Sequence, residues 1–142
     1  MILPDVNVLI YAFRADTLQH RVCKPWLDDV IIGDARFAVS PLVLSAVARV
    51  VTSPRIFEHP SPVEEVFSYC DSLIGRRHCE IVRPGERHWT IFKRVCIESG
   101  TRGPRISDAW FAALAIEHGC TWITYDRDYA RFPGLKWQLP TL

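Results

Sequence analysis

An α/β fold with a mostly parallel central sheet, covered by helices on both faces, is what this sequence predicts, and three observations carry the prediction. Short apolar runs at residues 1–3, 36–40, 80–82 and 121–125 alternate with longer segments whose apolar residues recur at helical spacing. Pro or Asp punctuates the end of most runs. The stretches between runs are long enough to hold the crossover that parallel pairing requires, and such crossovers are right-handed. The 142 residues predict one domain spanning 1–142. A chain of this size buries roughly two thirds of its unfolded surface, enough for a core without covalent staples.

Each element has its own justification. Residues 1–3 open a strand that must end near Asp5, because Pro4 cannot donate a ladder hydrogen bond. Residues 6–13 continue apolar. From Asp16 or Thr17, either able to cap, Leu18, Val22, Trp26 and Leu27 mark a helix to about Asp29. Residues 36–40 form a brief strand, and Pro41 then suits the first turn of a largely buried helix over 42–51, whose β-branched content leaves some strand character. Ser61-Pro62-Val63-Glu64 combines a Ser cap, a first-turn Pro and a third-position Glu, predicting a helix to Ile74 or Gly75. A strand over 80–82 leads to a helix opened by Pro84 or Gly85, with Trp89, Phe92, Val95 and Cys96 on one face. After the loop 100–105, Ile106-Ser107-Asp108 begins a helix that is apolar all round, hence buried, and closed by His118-Gly119. Residues 121–125 form a strand ending at Asp126, and 135–139 a weaker one.

Composition excludes several classes. The chain meets Pro4 and Asp5 before any run could span a bilayer, and no basic leader follows, so the expectation is a cytoplasmic protein with no membrane contact. Five scattered cysteines, never in a CxxC pair, suggest reduced core residues and neither a disulfide framework nor a zinc site. A net charge of +1 announces no polyanion partner by itself. Of the 17 cations only Lys24, Lys93 and Lys136 are Lys; the Arg bias suits phosphate gripping, although GC-rich coding produces the same bias.

Three acids carry the chemistry. Asp5 and Asp126 each follow a strand, and Asp108 opens a buried helix; ligands of open parallel sheets bind beyond the carboxyl ends of the strands. Carboxylates gathered there repel one another unless a cation holds them, and a hard ion such as Mg²⁺ or Mn²⁺ needs only two or three of them. Taken singly, each Asp also has an ordinary role as a cap or turn residue.

Three motifs carry a family resemblance. Asp5-Val6-Asn7-Val8-Leu9-Ile10-Tyr11-Ala12, Ile106-Ser107-Asp108-Ala109-Trp110 with His118-Gly119, and Ile123-Thr124-Tyr125-Asp126-Arg127-Asp128-Tyr129 resemble, in order and spacing, the acidic motifs of PIN-domain nucleases. The length and the stretch 49–57 look most like the toxins of VapBC-type toxin–antitoxin pairs, which cleave RNA and are silenced by a cognate antitoxin. The resemblance implies a PIN-like three-layer α/β/α fold and a metal-dependent endoribonuclease using a metal-activated water. It makes Asp5 and Asp108 the principal ligands of Mg²⁺ or Mn²⁺ and Asp126 a third carboxylate, direct or through water. Asn7 would orient the first loop, Thr124 would support Asp126, and Asp128 is a weaker candidate with an alternative surface role. Arg102, Arg105, Arg127 and Arg131 flank the later motifs and could neutralise RNA phosphates. Tyr129, Trp110 and Phe111 could stack on unpaired bases, the latter two competing with a core role. An RNA substrate, a cognate antitoxin and, from the 49% apolar content, a homodimer are the expected partners.

One departure stands out. The family's second motif puts a Glu in the helix over 42–51, where this chain has Ser45 and Ala46, and no acid lies between Asp34 and Glu58. The site could hold one ion, recruit Glu58 or Glu64, complete itself with RNA, or be a degenerate RNA-binding module. A haloacid-dehalogenase-like phosphotransferase also starts with Asp after a strand but needs a second Asp where Asn7 stands. A DNA-flap nuclease could use the same acids, although the short chain lacks room for clamp elements.

Overall fold

The computed structural model describes residues 1–141; Leu142, the last residue of the expected domain, lies outside the described residues. Along the chain come β1 (Ile2–Pro4), α1 (Val6–Phe13), α2 (His20–Ile32), β2 (Phe37–Val39), α3 (Pro41–Val51), α4 (Val63–Ile74), β3 (Cys79–Ile81), α5 (His88–Ser99), α6 (Ile106–Glu117), β4 (Thr121–Ile123) and β5 (Trp137–Gln138). Two 3-10 turns, Gly103–Arg105 and Arg127–Arg131, precede α6 and follow β4.

The sheet runs β3-β2-β1-β4-β5 and every pairing is parallel, so the expected mostly parallel sheet is wholly so among the described residues. Right-handed crossovers from β1 to β2 to β3 put α1 to α4 on one face, and the return from β3 to β4 puts α5 and α6 on the other. The packing agrees: α1 lies against α2 and α3, α3 against α4, and α5 against α6. The order in which strands are added reverses at β1, where the chain returns to lay β4 on its other side, making the carboxyl ends of β1 and β4 the switch point of the sheet. Leu3, Val8, Phe37, Val47, Leu114 and Trp122 are fully buried between the layers. Trp122 lies nearly parallel to Phe111, 5.5 Å between centroids, and tilted against Tyr129.

The run left unassigned at 6–13 is α1. Pro4 ends the strand, and the Asp5 side chain accepts a hydrogen bond from Val6 N at 2.6 Å, so one residue terminates a strand and caps a helix. Burial of Val8, Leu9, Ile10 and Ala12 in a helix packed on α2 and α3 outweighs the strand preference of its β-branched residues. Gly100 and Gly119 stop α5 and α6 where expected, both at φ 66°, and Cys120 N closes the second stop on Ala115 O.

Several starts differ from the sequence reading. Neither Asp16 nor Thr17 caps α2, which begins at His20. Asp16 pairs with Arg14 at 2.5 Å, and Thr17 Oγ1 donates to Arg14 O. Ser61 does not cap α4; its hydroxyl accepts from Arg14 Nη1 at 3.0 Å, and the capping box never forms. Helix α5 begins at His88, not at Pro84 or Gly85, and its buried face is His88 and Val95, leaving Trp89 58% exposed. The shift has a cause: Glu117 accepts from Gly85 N and Arg87 N, tying that segment to α6 as a loop.

Arg14 is the common reason for the first two differences. It is buried, stacks 4.0 Å above Phe57, and donates to His59 O, Ser61 and Asp16, pinning the 53–62 loop to the end of α1. Arg14→Met keeps the stem and strips the donors; stability is expected to fall by about 2 kcal/mol, measured by urea unfolding. A change below a few tenths would show that the loop is held by other contacts.

Among the described residues no helix is long and apolar enough to cross a membrane. All five cysteines are free, with Cys23, Cys70 and Cys120 buried and Cys79 and Cys96 half-buried.

Candidate active site

Asp5 sits at the carboxyl end of β1, 6% exposed, with both oxygens engaged. Oδ1 accepts from Val6 N, and Oδ2 accepts from Thr124 Oγ1 at 2.6 Å and from Asn7 Nδ2 at 3.3 Å. Thr124 follows β4, the neighbour of β1, and its hydroxyl in turn accepts from Asp126 N at 3.0 Å. Asn7 Oδ1 accepts from Tyr125 N at 3.3 Å. The first and last motifs are therefore laced together across the β1–β4 switch point. Asn7 is fully used in this lacing and supplies no second carboxylate of the kind a phosphotransferase needs.

Asp108, in the first turn of α6, and Asp126, capping the second 3-10 turn, complete the acidic edge. Asp126 Oδ1 accepts from Asp128 N at 2.9 Å, and Asp108 Oδ1 accepts a long bond from Tyr129 at 3.4 Å. Between them lies Arg105, whose Nη1 donates to Asp108 Oδ2 at 2.7 Å and to Asp126 Oδ2 at 3.1 Å while Nη2 pairs with Asp128. An open cleft of about 340 Å³ is lined by Asp5, Asn7, Asp108 and Asp126 and by Ala46 and Arg49 of α3.

Electrostatics follow from this crowding. Burial pushes the Asp5 carboxyl up to about 6; the charges of Asp108 and Asp126 push the same way, against the hydrogen bonds from Thr124 and Val6. Hydrogen bonds to Asp108 and Asp126 hold the Arg105 guanidinium even more firmly protonated than usual. Tyr129 titrates higher still than an ordinary phenol, first because it is buried and then because three carboxylates face it, so it remains a neutral donor.

The donor set suits a hard divalent cation in kind: all candidate ligands are carboxylate oxygens that repel one another. It is not gathered into a cage. Among the described residues no group of three or more His, Cys, Asp or Glu is close enough to hold an ion, and a guanidinium instead bridges Asp108 and Asp126.

Sequence reasoning placed the three acids, Asn7 and Thr124 at one site, and the geometry brings all five together. Two expectations fail. Tyr129 cannot stack on bases, being 3% exposed and packed against Trp122 and Phe132. Glu58 and Glu64 are exposed and do not line the cleft, so neither replaces the second-motif acid. Of the four flanking arginines, Arg105 turns inward onto carboxylates, whereas Arg102, Arg127 and Arg131 are exposed and lie outside the cleft lining. Arg49 was missed. Its signal was its spacing: three residues after Ala46 on α3, it falls on the same face of the helix. Trp110 and Phe111 are half-buried, and with Leu42, Phe92 and Ile106 they line an apolar groove that meets the cleft at Phe111.

Fold and site together define an α/β/α domain with an acidic cleft at the switch point of a parallel sheet. The chain belongs to the PIN-domain family, which it matches over residues 2–135. It is 38% identical to Ribonuclease VapC31 of Mycobacterium tuberculosis over 142 residues, all of both chains. Among solved structures it is similar to FitAcB from Neisseria gonorrhoeae, with TM-score 0.71 at 20% identity over 99% of this chain and 98% of that one. It is also similar to a toxin–antitoxin complex from Klebsiella pneumoniae, with TM-score 0.64 at 18% identity over 99% and 98%.

Proposed function

We propose that this chain is a divalent-metal-dependent endoribonuclease, the toxin of a toxin–antitoxin pair, acting in the cytoplasm on RNA. The carrying observation is Asp5, a buried carboxyl pushed up to about 6 and faced by Asp108 and Asp126 in one open cleft. Asp5 and Asp108 are the principal ligands of Mg²⁺ or Mn²⁺ and Asp126 is the third carboxylate; Asn7 and Thr124 fix the orientation of Asp5. When bound, the ion supplies Lewis-acid polarisation of a phosphodiester and a lowered pKa for water. Arg102, Arg127 and Arg131, on the segments that flank Asp108 and Asp126, offer exposed cations to RNA phosphates. The RNA assignment is supported by the full-length similarity to VapC31, and the antitoxin by the likeness to the Klebsiella complex. A second copy of the chain is the other proposed partner.

Arg49 enters this reading as a phosphate ligand. It is exposed on α3 and lines the same cleft as the acids, where a scissile phosphate would need a counter-charge. Arg49→Ala is expected to weaken RNA binding roughly tenfold at low salt and to flatten the salt dependence of binding by about one ion. Unchanged affinity and slope, in filter binding with Asp5→Asn as the non-cleaving background, would remove Arg49 from the substrate path.

The activity itself is tested by incubating antitoxin-free protein with structured and single-stranded RNAs in Mg²⁺, Mn²⁺ or chelator. Cleavage confined to the metal-containing samples is expected. A second reading, a degenerate RNA-binding module, is favoured by Ser45 and Ala46 standing where the family pattern puts an acid. RNA binding without cleavage in either metal would select it.

A further inference from the structure

Arg105 holds the oxygens that a metal would need. Asp108 Oδ1 accepts from Tyr129 and Asp126 Oδ1 from Asp128 N, leaving Asp108 Oδ2 and Asp126 Oδ2 with no such partner. Both are taken by Nη1 of Arg105. A guanidinium cannot vacate them by losing its proton, so it can leave only by moving. Room to move exists, because the Arg105 side chain is 33% exposed and lies on a short turn before α6 instead of in the packed layer. Its other nitrogen, Nη2, is paired with Asp128, whose side chain is 60% exposed at the rim.

We propose that Arg105 is the resident counter-ion of the acidic cleft, that a divalent ion loads by displacing it from Asp108 and Asp126, and that Asp128 retains the displaced guanidinium at the rim. The inference rests on the metal-dependent reading above. It gives Asp128 a positioning role, through Arg105, instead of a ligand's role. It also accounts for an acidic site that is folded without being a cage: the charge of the carboxylates is neutralised from within until a cation replaces the guanidinium. The displaced Arg105, held by Asp128, then stands beside the two carboxylates as a cation where a phosphate would approach.

The test is Mn²⁺ binding by titration calorimetry to chelator-stripped wild type, Arg105→Gln, Arg105→Lys and Asp128→Asn, beside thermal melts with and without Mn²⁺. Arg105→Gln is expected to bind Mn²⁺ roughly 3- to 10-fold tighter, the range appropriate to losing partly exposed ion pairs, and to gain more thermal stability from the ion than wild type does. Arg105→Lys keeps a charge without the fork and should fall between the two. Asp128→Asn, altered only at an exposed side chain, should bind Mn²⁺ more weakly than wild type, because the displaced guanidinium loses the partner that retains it, and should have no further effect in Arg105→Gln. Equal or weaker Mn²⁺ binding by Arg105→Gln, or equal or tighter binding by Asp128→Asn, would overturn the exchange while leaving the metal reading standing. Absence of Mn²⁺ binding in wild type and variants alike would overturn both.

Discussion

Asp5→Asn is expected to slow metal-dependent RNA cleavage by about a thousandfold, the consequence of removing several kcal/mol of charge stabilisation at the reacting phosphate. The substitution is chosen because it removes the charge at nearly constant volume. An amide oxygen can still accept from Val6 N, so the start of α1 keeps its cap, whereas the amide nitrogen replacing Oδ2 no longer accepts from Thr124 and Asn7. Asp108→Asn should produce a loss of similar size, although that side chain is more exposed and also loses its pair with Arg105. The measurement is single-turnover cleavage of one RNA in excess Mn²⁺, with circular dichroism to show that both variants are folded. Retention of activity within tenfold of wild type in Asp5→Asn would exclude Asp5 as a principal ligand, because no other residue of the cleft could replace a buried carboxylate so nearly without loss.

How much of this was legible before the structure depends on whether the signal was local. The sheet was legible, since apolar runs and long connections fix parallel pairing, and so were Asp5 and Asp126, because the ends of parallel strands are where ligands bind. The Asn7–Asp5–Thr124 lacing was half legible: the motifs named its members, but their partners lie 117 and 119 residues apart and no spacing reports them. The helix starts failed for the same reason. Asp16, Ser61 and Gly85 carry the local chemistry of caps and helix openings, but Arg14 and Glu117 recruit their segments into long-range contacts that local propensity does not weigh. Tyr129 failed through burial: an aromatic beside an acidic motif reads as a base platform until Trp122 is seen against its ring. Arg49 and the inward turn of Arg105 needed the packing of α3 and α6 around one cleft, a relation that exists only once the sheet order is known.

The metal-free protein should report the strain of its acidic cleft through pH. Asp5 has its carboxyl raised from 3.8 to about 6, so the folded state binds this proton more tightly than the unfolded chain does. The stability it contributes is therefore fully present below about pH 3.8 and is lost as the pH rises through about 6. The whole contribution corresponds to about 3 kcal/mol, a shift of roughly two units at 1.36 kcal/mol each. Asp5→Asn cannot titrate there, and subtracting wild type from the variant cancels the acids common to both. In chelator, the stability of Asp5→Asn relative to wild type is expected to rise with pH by up to about 3 kcal/mol between about pH 4 and pH 7, read by urea unfolding at each pH. Saturating Mn²⁺ at pH 7.5 should offset most of that difference, since an ion that binds only the folded, ionised wild type adds about 2.7 kcal/mol at a hundred times its Kd. A difference that stays flat across that range would mean that the Asp5 carboxylate is already neutralised in the metal-free fold. The residue able to do so is Arg105, one cation shared among Asp108, Asp126 and Asp128 and making no hydrogen bond to Asp5. A buried charge without a direct cationic partner is the physical reason to expect the slope.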